Sequence, residues 1–312
     1  MKHRDAFSTC HPVVNFTYFI LVLLFSMCWM HPVCLAVSLV GATAYVLSLR
    51  GTAAVLNLFG ALLPMALLAA VINPAFNHRG VTILTYLPSG NPLTLESILF
   101  GLASAGMLTT VLLWFSCVTA VMTSDKWVYL FGRILPALSL VLSMTLRFVP
   151  KFRHQFQVVQ ESRCCAGRDT DNGGLLRRVR NLVTVFSILV TWSLENAIEA
   201  ADSMKSRGYG LPGRTAFSIY RLDDRDKGLL AWLGGCGLYL GSGWLLGALD
   251  WQYYPNLKGA AITPLTVSFW VVYLALCLTP VILNASEDRR WEKLRRSIKS
   301  TEVEVPNETS TL

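Results

Sequence analysis

Three groupings of side chains in this 312-residue chain could do chemistry. Glu195 and Glu199 stand four residues apart, which on a helix puts two carboxylates on one face. That spacing serves acid–base work or metal binding, and it equally makes an acidic stripe that faces water or a partner. Cys164 and Cys165 are adjacent in a polar stretch, where thiols could exchange electrons or hold a soft metal. The other six cysteines, Cys10, Cys28, Cys34, Cys117, Cys236 and Cys277, mostly sit in apolar runs without a CxxC pair, and they read as small hydrophobes. Five histidines, His3, His11, His31, His78 and His154, are scattered, and no HExxH, GxSxG or P-loop occurs. Nothing here assembles a catalytic cluster or a metal site, so the chain is expected to be non-catalytic, with no cofactor of its own. The third grouping binds rather than reacts. Ala166-Gly167-Arg168 and Ser206-Arg207-Gly208 each join a glycine stop to an arginine at a helix end. Arginine's planar fork of donors suits carboxylates and carbonyls in a groove, so these tips are candidate docking points.

The element that must carry the second tip is legible at once. From Leu175 to Gly210, apolar residues such as Val179, Leu182, Val183, Phe186, Val190, Leu194 and Ile198 recur every three or four positions. Asn181, Thr184, Ser187, Thr191, Glu195, Glu199 and Asp202 make the opposite stripe. This is the period of an amphipathic helix. Gly208 supplies the left-handed stop and Pro212 prevents resumption. The uncharged run within it, residues 181–194, is too short to cross a bilayer, so the helix is expected to lie along or within a membrane domain. A shorter apolar run, 134–146, leads through Arg147-Phe148-Val149-Pro150 into a polar helix that reaches Cys165.

The rest of the chain is membrane-like. Hydrophobic residues make up 53% and charged residues 15%, a balance outside the range of soluble domains. The net charge of +8 could suggest a nucleic-acid partner, but the basic residues cluster between apolar spans, and no nucleic-acid binding is expected. Uncharged stretches place six spans at about 13–30, 33–49, 53–72, 97–124, 228–249 and 262–286, with His31-Pro32 and Arg50-Gly51 as breaks. Residues 73–92 read as a loop or small hairpin, and 250–261 as a loop. The first four spans lack charged residues, and Asn57 in the third is expected to hydrogen-bond a neighbouring helix. The first apolar run continues into a second, so no cleavable leader is expected. The organisation is a membrane domain over 1–124, a charged helical region over 125–227, two further spans over 228–286 and a tail over 287–312. With six spans both termini share a side, and that side collects 25 of the 27 Lys and Arg residues. The positive-inside rule makes it cytoplasmic, together with the 125–227 region.

Several segments resemble one family. Ser203-Met204-Lys205-Ser206-Arg207-Gly208-Tyr209-Gly210 is similar to the second Ala-Arg-Gly motif of the T component of energy-coupling factor (ECF) importers. Leu146-Arg147-Phe148-Val149-Pro150 resembles the family's Arg-Phe-x-Pro segment, and Asn73-Pro74-x-Phe76-Asn77-His78-x-Gly80 its loop between the third and fourth spans. The order of these motifs over about residues 10–285 makes the resemblance specific. One departure stands out: the first Ala-Arg-Gly motif falls on Cys165-Ala166-Gly167, with Ala166 where arginine is expected. Arg163 or Arg168 could supply the charge, from a different face of the helix. The resemblance implies an all-α integral membrane protein of about six transmembrane helices with an insert of long coupling helices. It implies a plasma membrane of a bacterium or archaeon. It implies two ABC-type ATPase partners, which bind the ATP and dock at Ala166, Gly167, Arg168, Ser206, Arg207 and Gly208. Arg147, Pro150, Glu195 and Glu199 would belong to the coupling region. A separate membrane S component would bind the vitamin or metal ion. Two other readings compete. A classical ABC permease would conduct substrate itself, but Glu199-Ala200-Ala201 lacks the glycine its coupling loop requires, Lys205 standing there instead. An integral membrane enzyme would need the catalytic cluster that is missing.

Overall fold

The computed structural model describes residues 5–77, 80–86, 92–134, 136–167, 174–212, 220–259 and 261–303. These residues divide into two units, residues 1–123 with 221–312, and residues 124–220. The protein is an all-α membrane protein with two short hairpins.

The first unit begins with two helices started the same way. In α1 (Pro12–Cys28) and α2 (Pro32–Arg50) the cap is a histidine, the first helical residue is a proline, and the histidine Nδ1 accepts the N–H of the following valine. His11-Pro12-Val13 and His31-Pro32-Val33 are thus a repeated start signal. Proline suits the first helical position because its missing N–H would be unpaired there anyway. Gly51, at φ +80°, ends α2 and turns directly into α3 (Thr52–Phe76). The helix α3 runs through Pro74, so the expected loop begins four residues later than the sequence reading placed it. Pro74 has no N–H to give the Ala70 carbonyl, and that oxygen instead faces Gly101 of α4 (Leu95–Val121), where an added Cβ would lie 2.6 Å away. Two strands, β1 (Ile83–Tyr86) and β2 (Pro92–Thr94), pair antiparallel between these helices.

The unit is completed by α8 (Asp224–Leu245), a hairpin of β3 (Trp251–Gln252) and β4 (Lys258–Gly259), and α9 (Pro264–Val303). The hairpin occupies a stretch read from sequence as a loop. Its core is aromatic: Phe7, Tyr18, Tyr45, Trp114 and Tyr273 are fully buried, and Phe7 meets Tyr18 edge-on at 5.0 Å. Gly41 of α2 lets α9 approach so closely that an added Cβ would sit 2.6 Å from the Cys277 Cβ. The N-terminal segment is tied in by Asn284, which donates to Asp5 Oδ1 and accepts the Phe7 N–H at 3.2 Å.

Five helices among the described residues are long and apolar enough to cross a membrane: α2, α3, α4, α9 and the Arg178–Ser206 part of a helix in the second unit. The chain is therefore a multi-pass membrane protein. Four of these match expected spans. The first expected span, α1, has 17 residues, about a turn short of the usual 20. The fifth, α8, is diluted by six glycines and begins with the charged Asp224-Arg225-Asp226-Lys227. The Arg178–Ser206 segment meets the length and composition for spanning, whereas its 14-residue uncharged run was read as too short; one carboxylate, Glu195, interrupts an otherwise sufficient apolar stretch.

Two sequence readings of polar residues are corrected. Asn57 is exposed and makes no side-chain hydrogen bond among the described residues. A charge does enter the fourth span: Glu96 is 3% exposed, in the first turn of α4, where its carboxylate accepts the Thr82 hydroxyl at 2.8 Å and the Thr82 N–H at 3.2 Å. An acidic residue in a first turn also faces the positive end of the helix dipole.

The second unit holds α5 (Ser124–Ile134), α6 (Pro136–Cys165) and α7 (Leu175–Ser206). The apolar and polar parts read separately in the sequence form one continuous α6 of 30 residues, with Pro150 inside it.

Candidate functional site

The two candidate tips are the C-terminal ends of α6 and α7, and side-chain contacts establish how these helices run. Phe152 meets Trp192 edge-on at 5.7 Å. The Lys151 ammonium lies 5.4 Å from the centre of the Trp192 ring and donates to Asn196 Oδ1 at 2.6 Å. Farther along, the Arg163 guanidinium donates to the Asn181 carbonyl at 3.4 Å and to its side-chain oxygen at 3.2 Å. As numbers rise on α6 they fall on α7, so the pair is antiparallel. Ala166 is 14 residues past Phe152 and Arg207 is 15 past Trp192, in opposite directions. At about 1.5 Å per residue the tips stand up to about 40 Å apart.

Both tips end on a left-handed glycine. In α7 the Gly208 N–H donates to the Lys205 carbonyl at 3.0 Å and the Tyr209 N–H to the Met204 carbonyl at 3.0 Å, with Gly208 at φ +74°. That pair of bonds is the Schellman closure, and it requires a left-handed residue that glycine supplies without strain. In α6 the Gly167 N–H donates to the Cys164 carbonyl at 3.0 Å, with Gly167 at φ +70°. The cap position just before each glycine is Arg207 in one tip and Ala166 in the other. Ser206, Arg207, Ala166 and Gly167 are exposed, and Gly208 is half-buried. The Arg207 side chain has no hydrogen bond or ion pair among the described residues.

Arg163 is half-buried and its guanidinium contacts Asn181 of α7. Arg168 lies outside the described residues. Cys164 and Cys165 are exposed in the last turn of α6. Arg147 and Pro150 are exposed on α6, far from its tip, and Glu195 and Glu199 are exposed on α7. None of these three charged groups forms an ion pair among the described residues. No cluster of three or more possible metal ligands occurs among the described residues.

The arginine tips were legible in sequence; the clamp between the helices was not. Lys151, Trp192, Asn196, Arg163 and Asn181 carry no motif. The one hint was that Trp192 and Asn196 lie one turn apart on α7, so one face could grip a neighbour. The long apolar stripe of α7 is mostly open: Val183, Phe186, Leu194 and Ile198 are each more than half exposed, while Val185 is buried.

A family model described as cobalt transport protein CbiQ matches residues 7–217, more than half of the chain and all of the α6–α7 pair. The chain belongs to the CbiQ cobalt transport protein family. Among its curated relatives are energy-coupling factor transporter transmembrane proteins EcfT. That of Lactobacillus helveticus is 33% identical over 96 residues, covering 30% of this chain and 35% of the relative. That of Listeria monocytogenes is 34% identical over 83 residues, covering 26% and 31%. An uncharacterised Mycoplasma genitalium protein is 22% identical over 191 residues, covering 58% of this chain and 43% of its own length. The chain thus spans about a third of the length of the EcfT relatives it matches. The CbiQ family and these relatives support the resemblance that the tip motifs carry, to the T component of ECF transporters.

Proposed function

We propose that this CbiQ-family chain is the energy-coupling scaffold of an ATP-driven ECF-type importer of vitamins or metal ions in a bacterial or archaeal plasma membrane. Two ABC-type ATPases dock at the α6 and α7 tips, a separate S component binds the substrate, and both termini face the cytoplasm. The chain itself binds no ATP and catalyses nothing. The observation that carries this reading is a pair of helix ends, each stopped by a left-handed glycine, at opposite extremes of one clamped antiparallel pair. Such a pair can be gripped by two similar subunits at once and can transmit their approach or separation as a change in its own geometry. The open apolar stripe of α7 offers the S component or the lipid a surface between the two grips.

The two tips differ in what they present. Arg207 offers a free guanidinium at the C-terminal end of α7, and Ala166 offers a methyl group. Truncating one partner of a desolvated charge contact costs about 2–5 kcal/mol. Losing only the helix-dipole contribution costs about 1 kcal/mol or less. Arg207→Ala is therefore expected to leave the protein in the membrane and weaken ATPase co-purification and coupled uptake by at least about 30-fold, since 1.4 kcal/mol is tenfold. Arg207→Lys recovers part of the loss, because an ammonium lacks the fork. Ala166→Ser does little. Near wild-type co-purification and uptake with Arg207→Ala would refute the docking role.

A further inference from the structure

We infer that one face of α9, where that helix leaves the membrane, binds the phosphates of anionic glycerophospholipids through Arg289, Lys293 and Arg296, with Arg290 at its edge. The helix runs without a break from Pro264 to Val303. Its uncharged part, Pro264 to Ser286, is 23 residues and about 34 Å long, enough to cross the roughly 30 Å hydrocarbon core. The charged part therefore begins at the headgroups, as a rigid extension of a span. A cluster of about four to eight Lys and Arg residues directly after a span attracts anionic lipid. Cations also gather there simply to set orientation, which needs only their number. What separates the two roles is whether the cations are sorted onto one side of the helix.

Contacts mark the two sides of α9. On the bundle side Asn284 is buried, and Glu287, about one turn on, takes the Arg225 guanidinium at 3.1 Å. On the opposite side Ile282 is 58% exposed, within the part of the helix that is apolar enough to span, so that side is turned to lipid. Arg289 follows Ile282 by seven residues, Lys293 follows Arg289 by four and Arg296 follows Lys293 by three, the spacing of a single helix face. The lipid-facing stripe thus turns basic as it crosses the membrane edge. Arg289, Arg290, Lys293 and Arg296 are exposed, and none has a hydrogen bond or ion pair among the described residues. The carboxylates Asp288 and Glu292 stand on a flank of the stripe. Side chains on a helix tilt toward its N-terminus, which for this part of α9 is the membrane, so these long cations lean back to the headgroups. Along the axis Arg289 is about 4.5 Å and Lys293 about 10 Å beyond Ser286, within reach of a lipid surface whose field persists for a Debye length of about 8 Å.

The experiment is native mass spectrometry of the detergent-purified full chain, titrated with phosphatidylglycerol or with phosphatidylcholine carrying the same acyl chains. The wild type is expected to retain phosphatidylglycerol at least about tenfold more strongly, with a preference that shrinks as ammonium acetate is raised. Arg289→Gln is expected to lower that preference about fivefold, the roughly 1 kcal/mol that one cation near a charged lipid surface contributes. Arg289→Lys keeps it, because a point charge is enough for a phosphate. Arg295→Gln removes the same charge from another face of the helix and is expected to change the preference less than about twofold. Equal retention of the two lipids by the wild type overturns the inference. Equal losses in Arg289→Gln and Arg295→Gln overturn it too, since net charge would then act without a face. In native membranes a photo-crosslinking residue at Ser286, exposed one turn before Arg289 and Arg290, is expected to acquire a phospholipid mass; a protein adduct alone would give the face to a partner chain and overturn the assignment.

Discussion

Gly101→Ala tests a close contact between α3 and α4. The helix α3 has no buried residue of its own, and its Ala70 and Pro74 meet Gly101 of α4. A methyl group at Gly101 would lie 2.6 Å from the Ala70 carbonyl oxygen and 3.1 Å from Pro74 Cδ, the first well inside the 3.0 Å floor that Cβ contacts keep. The oxygen is backbone and cannot rotate away, so the helices must part by several tenths of an ångström. Forcing extra volume into a packed contact costs about 1–3 kcal/mol. Replacing glycine by alanine in a helix returns up to about 1 kcal/mol. The net is a destabilisation of about 1–2 kcal/mol. The same substitution at Gly106, five residues on in the same helix, meets nothing within 4 Å and keeps the helix-propensity gain alone. Thermal unfolding in detergent, followed by loss of the monodisperse chromatographic peak, is expected to show Gly101→Ala several degrees below wild type and Gly106→Ala at or above it. Equal midpoints for the two variants would refute the close-approach account of Pro74 and Gly101.

Two further outcomes concern the helix ends. Gly208→Ala forces a left-handed alanine, at about 1–2 kcal/mol, and puts its Cβ 3.0 Å from Leu211 Cδ1; the Tyr209 amide, bonded to Met204, is expected to exchange its hydrogen several-fold faster, and unchanged exchange would count against the Schellman closure. His31 caps α2 through an unprotonated Nδ1 and packs on Trp251 and Trp270 at 5.0 and 5.2 Å, so burial lowers its pKa below the ordinary 6.5. The folded state then favours the neutral ring: its stability contribution is complete above about pH 6.5 and is lost as pH falls below that value towards the folded pKa. Melting points measured from pH 7.5 to 5.5 should fall in the wild type and stay flatter in His31→Asn, which caps without titrating; parallel slopes would exclude His31 as the source.

The features that depend on chain-local chemistry were readable from sequence. Uncharged length announced the membrane character, and alternation of polar and apolar residues at a period of 3.6 announced α7. Gly208 before Tyr209 and Pro212 announced where α7 stops, because a left-handed residue there is a property of that glycine alone. What required tertiary structure was every outcome that depends on a second element. Pro74 was read as a loop signal, and it is helical because Gly101 of α4 leaves room beside the carbonyl it frees. Asn57 makes no side-chain hydrogen bond among the described residues, and Glu96, at the edge of an uncharged run, is buried where Thr82, just before β1, donates to it. The arginine missing at Ala166 left two candidates in sequence. Only the register of α6 on α7 shows where Arg163 points, by giving its guanidinium the two oxygens of Asn181. A local pattern fixes which way a helix ends, but a long, flexible cation goes where oxygen acceptors are, and those stand on another helix.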